Sequence, residues 1–477
     1  MRTFFTCIIF IAFTALSAQN TATQVDPVNS LTVDILKHHL SVLASDSLNG
    51  RFTSSEGQKK AARYIQSEFE AAGLHPYNDT CFYQPYTLWS WKWGECTLKS
   101  KHASLTSQND FLFLSNAPMD STSTSCVFVG FGEDTIINDL DLKDKIAFAF
   151  TNSYSNYYSL AYRLKSKGVK AIILTNPNDE KAYQKISSRV DFDRVNVSKA
   201  KPFFSKTATK VFIVKPSFAK ELFGKNIAAL KKIETSKDAT KISEKIISVH
   251  CPVIVEKVKT ENVAGYIKGK TNETIVLSAH YDHLGKKGDN IYYGADDNAS
   301  GTTALLSLAK VIGTQNEVPD RNILFLATSG EELGLLGALH FADEQSKLPF
   351  DIKANLNIDM IGRNDSIGKS NYIYLIGSKE YPVLDSLCNI ANQAVNLKID
   401  YGYETNSSFG NLLNLSDHYA FHKQGIPVLG FFNGLHADYH KPTDTIDKIE
   451  FEEMLKRIRL IYYTSQLLVD KEVFNKN

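Results

Sequence analysis

Residues 274–285 read "TIVLSAHYDHLG": a short apolar run, then histidine, acid and histidine ahead of a glycine. A brief continuous apolar stretch bounded by turn residues is the pattern of a strand buried on both faces. It recurs as "NILFLAT" (322–328), "NLNIDM" (355–360) and "IPVLGFF" (426–432). Between these runs lie segments of helical periodicity, "ASGTTALLSLAKVI" (299–312), "LGLLGALHFADE" (333–344) and "YPVLDSLCNIANQAV" (381–395). Buried strands alternating with helices predict an α/β fold with a mostly parallel central sheet flanked by helices. In such sheets ligands collect beyond the carboxyl ends of the strands.

Those ends are unusually rich in donors. The first strand is followed by His280, Asp282 and His283, and the second by Glu331 and Glu332 in "SGEELG". The third ends in Asp359, and the fourth leads into "NGLHADYHKPTDT", with His436, Asp438, Tyr439, His440 and Asp444. The loop "GADDNASG" (294–301) adds Asp296 and Asp297 ahead of a helix. Each has a plain structural explanation. Asp296, Asp297 or Asn298 suits a helix cap, Glu331 and Glu332 suit the positive end of a helix dipole, His280 suits a core hydrogen bond, and His440 suits the surface. Their convergence is harder to explain, because crowded carboxylates without cations repel and raise one another's pKa.

Two zinc ions relieve that conflict. Zinc takes imidazole nitrogen and carboxylate oxygen, and catalytic sites keep a position open for water. Two ions about 3.5–4 Å apart clamp a reacting carbonyl. Three ligand carboxylates and one hydroxide balance two zincs, leaving a fourth carboxylate as a base. Adjacent Glu331 and Glu332 suit that division. The H-E-x-x-H motif of single-zinc peptidases is absent.

Composition sets the context. The chain of 477 residues is 43% hydrophobic and 22% charged, with 53 basic against 52 acidic residues. No global field points to nucleic acid or an anionic membrane. "MRTFFTCIIFIAFTALSAQN" has Arg2, an apolar stretch and small residues at Ser17 and Ala18, the layout of a cleaved secretory signal (1–18). A soluble protein exported to the periplasm or outside the cell is expected, with no membrane attachment after cleavage. Cys81, Cys96, Cys126, Cys251 and Cys388 remain without any C-x-x-C pair. A disulfide such as Cys81–Cys96 fits an oxidising compartment, with connectivity left open.

Texture divides the rest. Residues 25–95 contain two helical patterns, the second opening with Ser55 and Gln58 spaced as a capping box. Residues 96–250 carry short β-rich runs ("CVFVGFG", "KIAFAF", "KAIILTN", "KVFIVK") around one helix, "SLAYRLKSKG", and read as a separate domain. Residues 251–472 hold the regular α/β pattern.

"AHYDHLG", "GADDNASG", "SGEELGLLG", "NIDMIGR" and "SDHYAFHKQGIPVLGFFNGLHADYHKPTDT" together closely resemble the secreted bacterial di-zinc aminopeptidase family, whose relatives include glutamate carboxypeptidase and the non-catalytic transferrin receptor. "VFVGFG", "DLKDKIAFAF" and "LKSKGVKAIIL" resemble its inserted protease-associated domain. The resemblance implies that His280 and Asp359 hold one zinc, Glu332 and His440 the other, and Asp297 bridges both across a cis Asp297–Asn298 peptide. It implies Glu331 as general base, Asp282 as hydrogen-bond acceptor from His280, and Tyr439 as a support for the tetrahedral intermediate. Peptide substrates, two zinc ions and hydrolysis at the N-terminus follow from it. A carboxypeptidase or dipeptidase on the same core is the alternative, and a one-zinc glutaminyl cyclase or a receptor-like binding protein is disfavoured by the complete motif set. Some relatives carry a dimerisation domain after the core; here the chain ends soon after "FEEMLKRIRLIYYTSQLLVD", so a monomer is expected.

Overall fold

The computed structural model describes residues 26–472 apart from 108–109, 116, 155–156, 188–194, 206, 367, 406–411 and 471. The segment read as a secretion signal lies outside the described residues. The four apolar runs are strands β1 (Glu273–His280), β2 (Asn322–Thr328), β3 (Asp351–Ile358) and β4 (Val428–Phe432). β1 pairs β2 on one side and β3 on the other, and β3 pairs β4, all in parallel.

Their continuous hydrophobicity has a direct cause, because successive side chains point to opposite faces and both faces are covered. Ile275, Leu277, Ala279, Ile323, Phe325 and Ala327 belong to one apolar cluster, Val276, Leu324 and Leu326 to another. The first face is covered by helices α1 (Val33–Leu43), α2 (Glu56–Ala71), α3 (Gly301–Gly313), α5 (Pro382–Asn392) and α6 (Phe451–Val469). The second is covered by α4 (Leu336–Glu344) and the short helix His418–His422, through Phe341 and Phe421. Each such fully buried Leu or Phe contributes about 1.5–3 kcal/mol. α2 starts as its sequence predicts, with Ser55 Oγ accepting the Gln58 N–H at 3.2 Å. The Gln58 amide does not close the box but turns inward to the Tyr281 hydroxyl and Glu261.

The ten-stranded sheet is parallel at its centre and again at one edge, where Lys398–Asp400 runs parallel to Tyr372–Ile376. Val253–Ile267 joins β2 antiparallel, Tyr372–Ile376 joins β4 antiparallel, and Tyr83–Trp93 joins Val253–Ile267 antiparallel. The last pairing follows from connectivity, since these strands are the outgoing and returning legs of the chain on either side of the β-rich region. That region forms a second, eight-stranded sheet from Thr97–Ser100 to Lys245–Cys251 with its own apolar core. One short strand within it, Asn196–Ser198, instead extends the main sheet beside Tyr83–Trp93. The five described cysteines are not cross-linked in the structure. Cys81 is exposed whereas Cys96 is buried in the second core, so the Cys81–Cys96 pairing does not occur. Among the described residues, no helix is long and apolar enough to cross a membrane.

Candidate metal centre

Strand register brings the donors level. Thr328 of β2 lies beside His280, and Asn357 of β3 lies beside Ser278, so two residues further on Asp359 comes level with His280. His280 Nε2 is 3.4 Å from Asp359 Oδ1, 3.5 Å from Asp297 Oδ1 and 3.9 Å from Glu331 Oε2. His440 Nε2 is 3.1 Å from both Asp297 Oδ2 and Glu332 Oε2. His283 Nδ1 is 2.6 Å from Glu332 Oε1 and 3.8 Å from Asp297 Oδ2.

The loop holding Asp297 is braced on every side. Gly294, at φ +55°, has no room for a side chain, because a Cβ there would meet the Asp297 carbonyl oxygen at 2.0 Å. The Asp444 carboxylate accepts the N–H groups of Asp296 and Asp297. Asn298 Oδ1 accepts Gly301 N at 2.9 Å and Met360 N at 3.1 Å, and its Nδ2 donates to Ile358 O at 2.9 Å. Asn298 thus caps α3 and also ties its start to the end of β3. The Asp297–Asn298 peptide is cis. Beneath the loop, buried Arg51 donates to the carbonyls of Tyr281 (2.8 Å), Tyr293 (2.7 Å) and Gly294 (3.0 Å), and to Leu43.

The two adjacent aspartates separate by direction. Asp296 points away from the cluster: its Oδ1 accepts Gly362 N at 2.7 Å and Ser300 Oγ at 3.0 Å, and its Oδ2 is 3.2 Å from His436 Nε2. Asp297 points into it and belongs to both donor groups that could hold an ion among the described residues, His280–Asp297–Asp359 and His283–Asp297–Glu332. Glu331 belongs to neither.

These residues fit bound zinc. Ligands about 2.0–2.2 Å from a tetrahedral zinc stand roughly 3.3–3.6 Å apart, which the His280–Asp359 and His280–Asp297 separations match and the His440 contacts approach. Asp297 Oδ2 and Asp359 Oδ1 are buried and make no well-directed hydrogen bond among the described residues. Protonation behaviour points the same way. Burial opposes charge on His280, yet Glu331, Asp359 and Asp297 hold its pKa well above the usual value. His440 is likewise pushed up to about 10 against its burial, by Asp297 and Glu332. Burial, reinforced by Glu332 and Asp359, pushes Glu331 well above the carboxylate range. Burial also drives Asp417, beside this cluster, up to about 7. Without cations, the cluster neutralises itself only by holding protons.

One expected contact is replaced. The Asp282 carboxylate does not accept from His280: its Oδ1 is 3.9 Å from Nδ1, which instead faces the Asp282 main-chain oxygen at 3.2 Å. The reason is competition, because Thr53 Oγ1 (2.6 Å) and the Glu331 N–H (3.2 Å) draw the carboxylate away. Asp282 therefore steadies the loop that carries Glu331. The Tyr439 ring stacks on His440, 3.9 Å between centroids, at the mouth of the cleft. Contributors without a role in the sequence reading are His283, His436, Asp444, Arg51 and Ser416, whose hydroxyl donates to Asp359 Oδ2 at 2.6 Å. All but Arg51 and Ser416 sit in the strand-end segments, which was their available signal. Beside the donors lies a cavity of about 160 Å³ with apolar walls, including Ile376, Tyr403, Leu412, Phe432 and Leu435.

A doubly covered sheet with imidazoles and carboxylates gathered at its parallel strand ends places this donor set where α/β folds collect their ligands. Residues 262–465 match the model of peptidase family M28. Aminopeptidase YwaD of Bacillus subtilis (strain 168) is 30% identical over 224 residues, 45% of this chain and 46% of that protein. Leucine aminopeptidase 1 of Coccidioides posadasii (strain C735) is 29% identical over 211 residues, 42% of this chain and 53% of that one. The chain thus spans about half the length of the curated relatives it matches. The solved structure of BSAP, a zinc aminopeptidase from Bacillus subtilis, shares the fold over 92% of this chain and 95% of its own, with a TM-score of 0.52 at 21% identity.

Proposed function

We propose that this chain is an exported, zinc-dependent aminopeptidase that removes N-terminal residues from peptides as a monomer. The observation that carries this reading is the division of the carboxylates: Asp297 is common to two donor groups, while Glu331 stands beside them and outside both. His280 and Asp359 would hold one zinc, Glu332 and His440 the other, with Asp297 shared. Zinc at these positions supplies Lewis-acid polarisation of the peptide carbonyl and lowers the pKa of a water.

The chain's own groups do the rest. Glu331 takes the proton of the attacking water on its carboxylate and returns it to the leaving amine. Its elevated proton affinity suits a base working near neutral pH. Asp282 fixes the Glu331 main chain, and Ser416 and His283 orient Asp359 and Glu332. The apolar walls of the adjoining cavity exclude water and favour an apolar first residue. The names of the curated relatives support attack at the amino end, the N-terminal sequence supports export, and residues 96–250 are read as a protease-associated domain.

A panel of peptides with free or blocked N-termini tests this. Release of an apolar N-terminal residue, abolished by N-acetylation, is expected. Turnover of blocked peptides with none of free ones would replace the aminopeptidase reading by the carboxypeptidase one.

A further inference from the structure

Two cysteines stand where the chain leaves and re-enters the main sheet. Cys96 lies between the strands Tyr83–Trp93 and Thr97–Ser100, and Cys251 ends Lys245–Cys251, one residue before Val253–Ile267. On one side of them Trp93 pairs Val253, and Gly94 N donates to Pro252 O at 2.9 Å. On the other side Thr97 pairs His250 and Leu98 pairs Val249. Continuing that antiparallel register by one step sets Cys96 opposite Cys251, with Glu95 as the extra residue between the two ladders.

Their side chains also share a direction. Residues two apart on a strand face the same way, so Cys96 points with Leu98 and Cys251 with Val249. Both thiols are fully buried in the same apolar core. Opposed residues of an antiparallel pair have Cα atoms about 4.5–5.5 Å apart, within the roughly 4.4–6.8 Å that a disulfide spans. Burial, with Cys96 as its neighbour, pushes the Cys251 thiol strongly up. The other described cysteines lack this arrangement. Cys81 is exposed, Cys388 lies in the main-sheet core, and Cys126 has Lys245 and Ile146 as strand neighbours.

We propose that Cys96 and Cys251 form a disulfide that staples the base of the inserted unit. The oxidant is a small-molecule or protein disulfide. One cysteine thiolate attacks it and releases a first thiol, and the second cysteine thiolate then attacks the mixed disulfide and releases the other. The two cysteines lose two protons and two electrons in total, which the oxidant gains. Because both sulfurs are inaccessible in the folded chain, the bond forms before the two ladders close. It needs only the strand geometry and an oxidising environment, which export would provide, and is independent of any peptidase activity.

The test refolds the full chain in a mixture of oxidised and reduced glutathione, then denatures and alkylates it without reductant. Peptide mapping is expected to find a cross-linked Cys96–Cys251 pair, lighter by two hydrogens, with Cys81, Cys126 and Cys388 alkylated. Alkylation of Cys96 and Cys251 to the same extent as Cys126, or a bond from either to another cysteine, would overturn the proposal. Thermal unfolding provides the second arm. The midpoint of the refolded parent should fall when a phosphine reductant is added, while that of Cys251→Ala should not respond; equal responses would also overturn it.

Discussion

Replacing Glu331 by glutamine isolates the proton-transfer role, because the amide has nearly the same shape and cannot accept a proton at the same atom. The Glu331 side chain is only 13% exposed, and its backbone N–H, not its carboxylate, is held by Asp282. The exchange therefore leaves the local fold intact. It also leaves both ion-holding donor groups complete, since Glu331 belongs to neither. A positioned general base contributes about 10²–10⁴ in rate, equivalent to roughly 3–5 kcal/mol of barrier at about 1.4 kcal/mol per decade. The upper end is expected, because burial and the neighbouring carboxylates raise its proton affinity. The assay measures kcat on a chromogenic aminoacyl substrate alongside zinc content by mass spectrometry. Full zinc with kcat down by about three to four decades is expected. Zinc-replete protein within about tenfold of the parent, a loss of under roughly 1.4 kcal/mol, would refute the assignment, and so would metal loss accompanying the loss of rate.

Asp297→Ala should lose bound metal, whereas Asp296→Ala should keep it and instead lower stability by about 1–3 kcal/mol for each buried donor it strands, since Asp296 serves Gly362 and Ser300; zinc content and urea midpoints on both variants decide. Ser416→Ala removes the hydroxyl that orients Asp359 and should weaken zinc affinity about 10–100-fold, read by competition with a chelating dye; an unchanged affinity would deny Ser416 that role. His39 supplies a pH dependence remote from the site. Burial, aided by His38 and Lys310, lowers its pKa from 6.5 to about 4, so the unfolded chain takes up the proton first as pH falls. Its contribution is complete above about 6.5 and is lost between there and about 4, amounting to roughly 3 kcal/mol. Urea unfolding at neutral pH and near the lower value should show a smaller pH loss for His39→Gln than for the parent; identical losses would contradict this.

The central strands were legible because burial on both faces leaves no polar alternation, as in "TIVLSA" and "NILFLAT". The antiparallel flanks were not, since their direction is set by where the chain returns after the inserted sheet rather than by side-chain pattern. The donor types at the strand ends were equally readable from residue order. Side-chain direction was not: nothing in "HYDHLG" shows that Asp282 turns to Thr53 and the Glu331 N–H, or that His283 reaches Glu332. Arg51 was invisible for a similar reason. A lone arginine beside glycine looks like surface until its guanidinium is seen gripping four carbonyls under the site.

Asp297 is the point on which the account turns, because it alone links the two donor groups. Metal analysis of purified, active protein tests that claim most directly. Close to two zinc ions per chain are predicted, with both lost from Asp297→Ala. A single tightly held ion supporting full activity would contradict it.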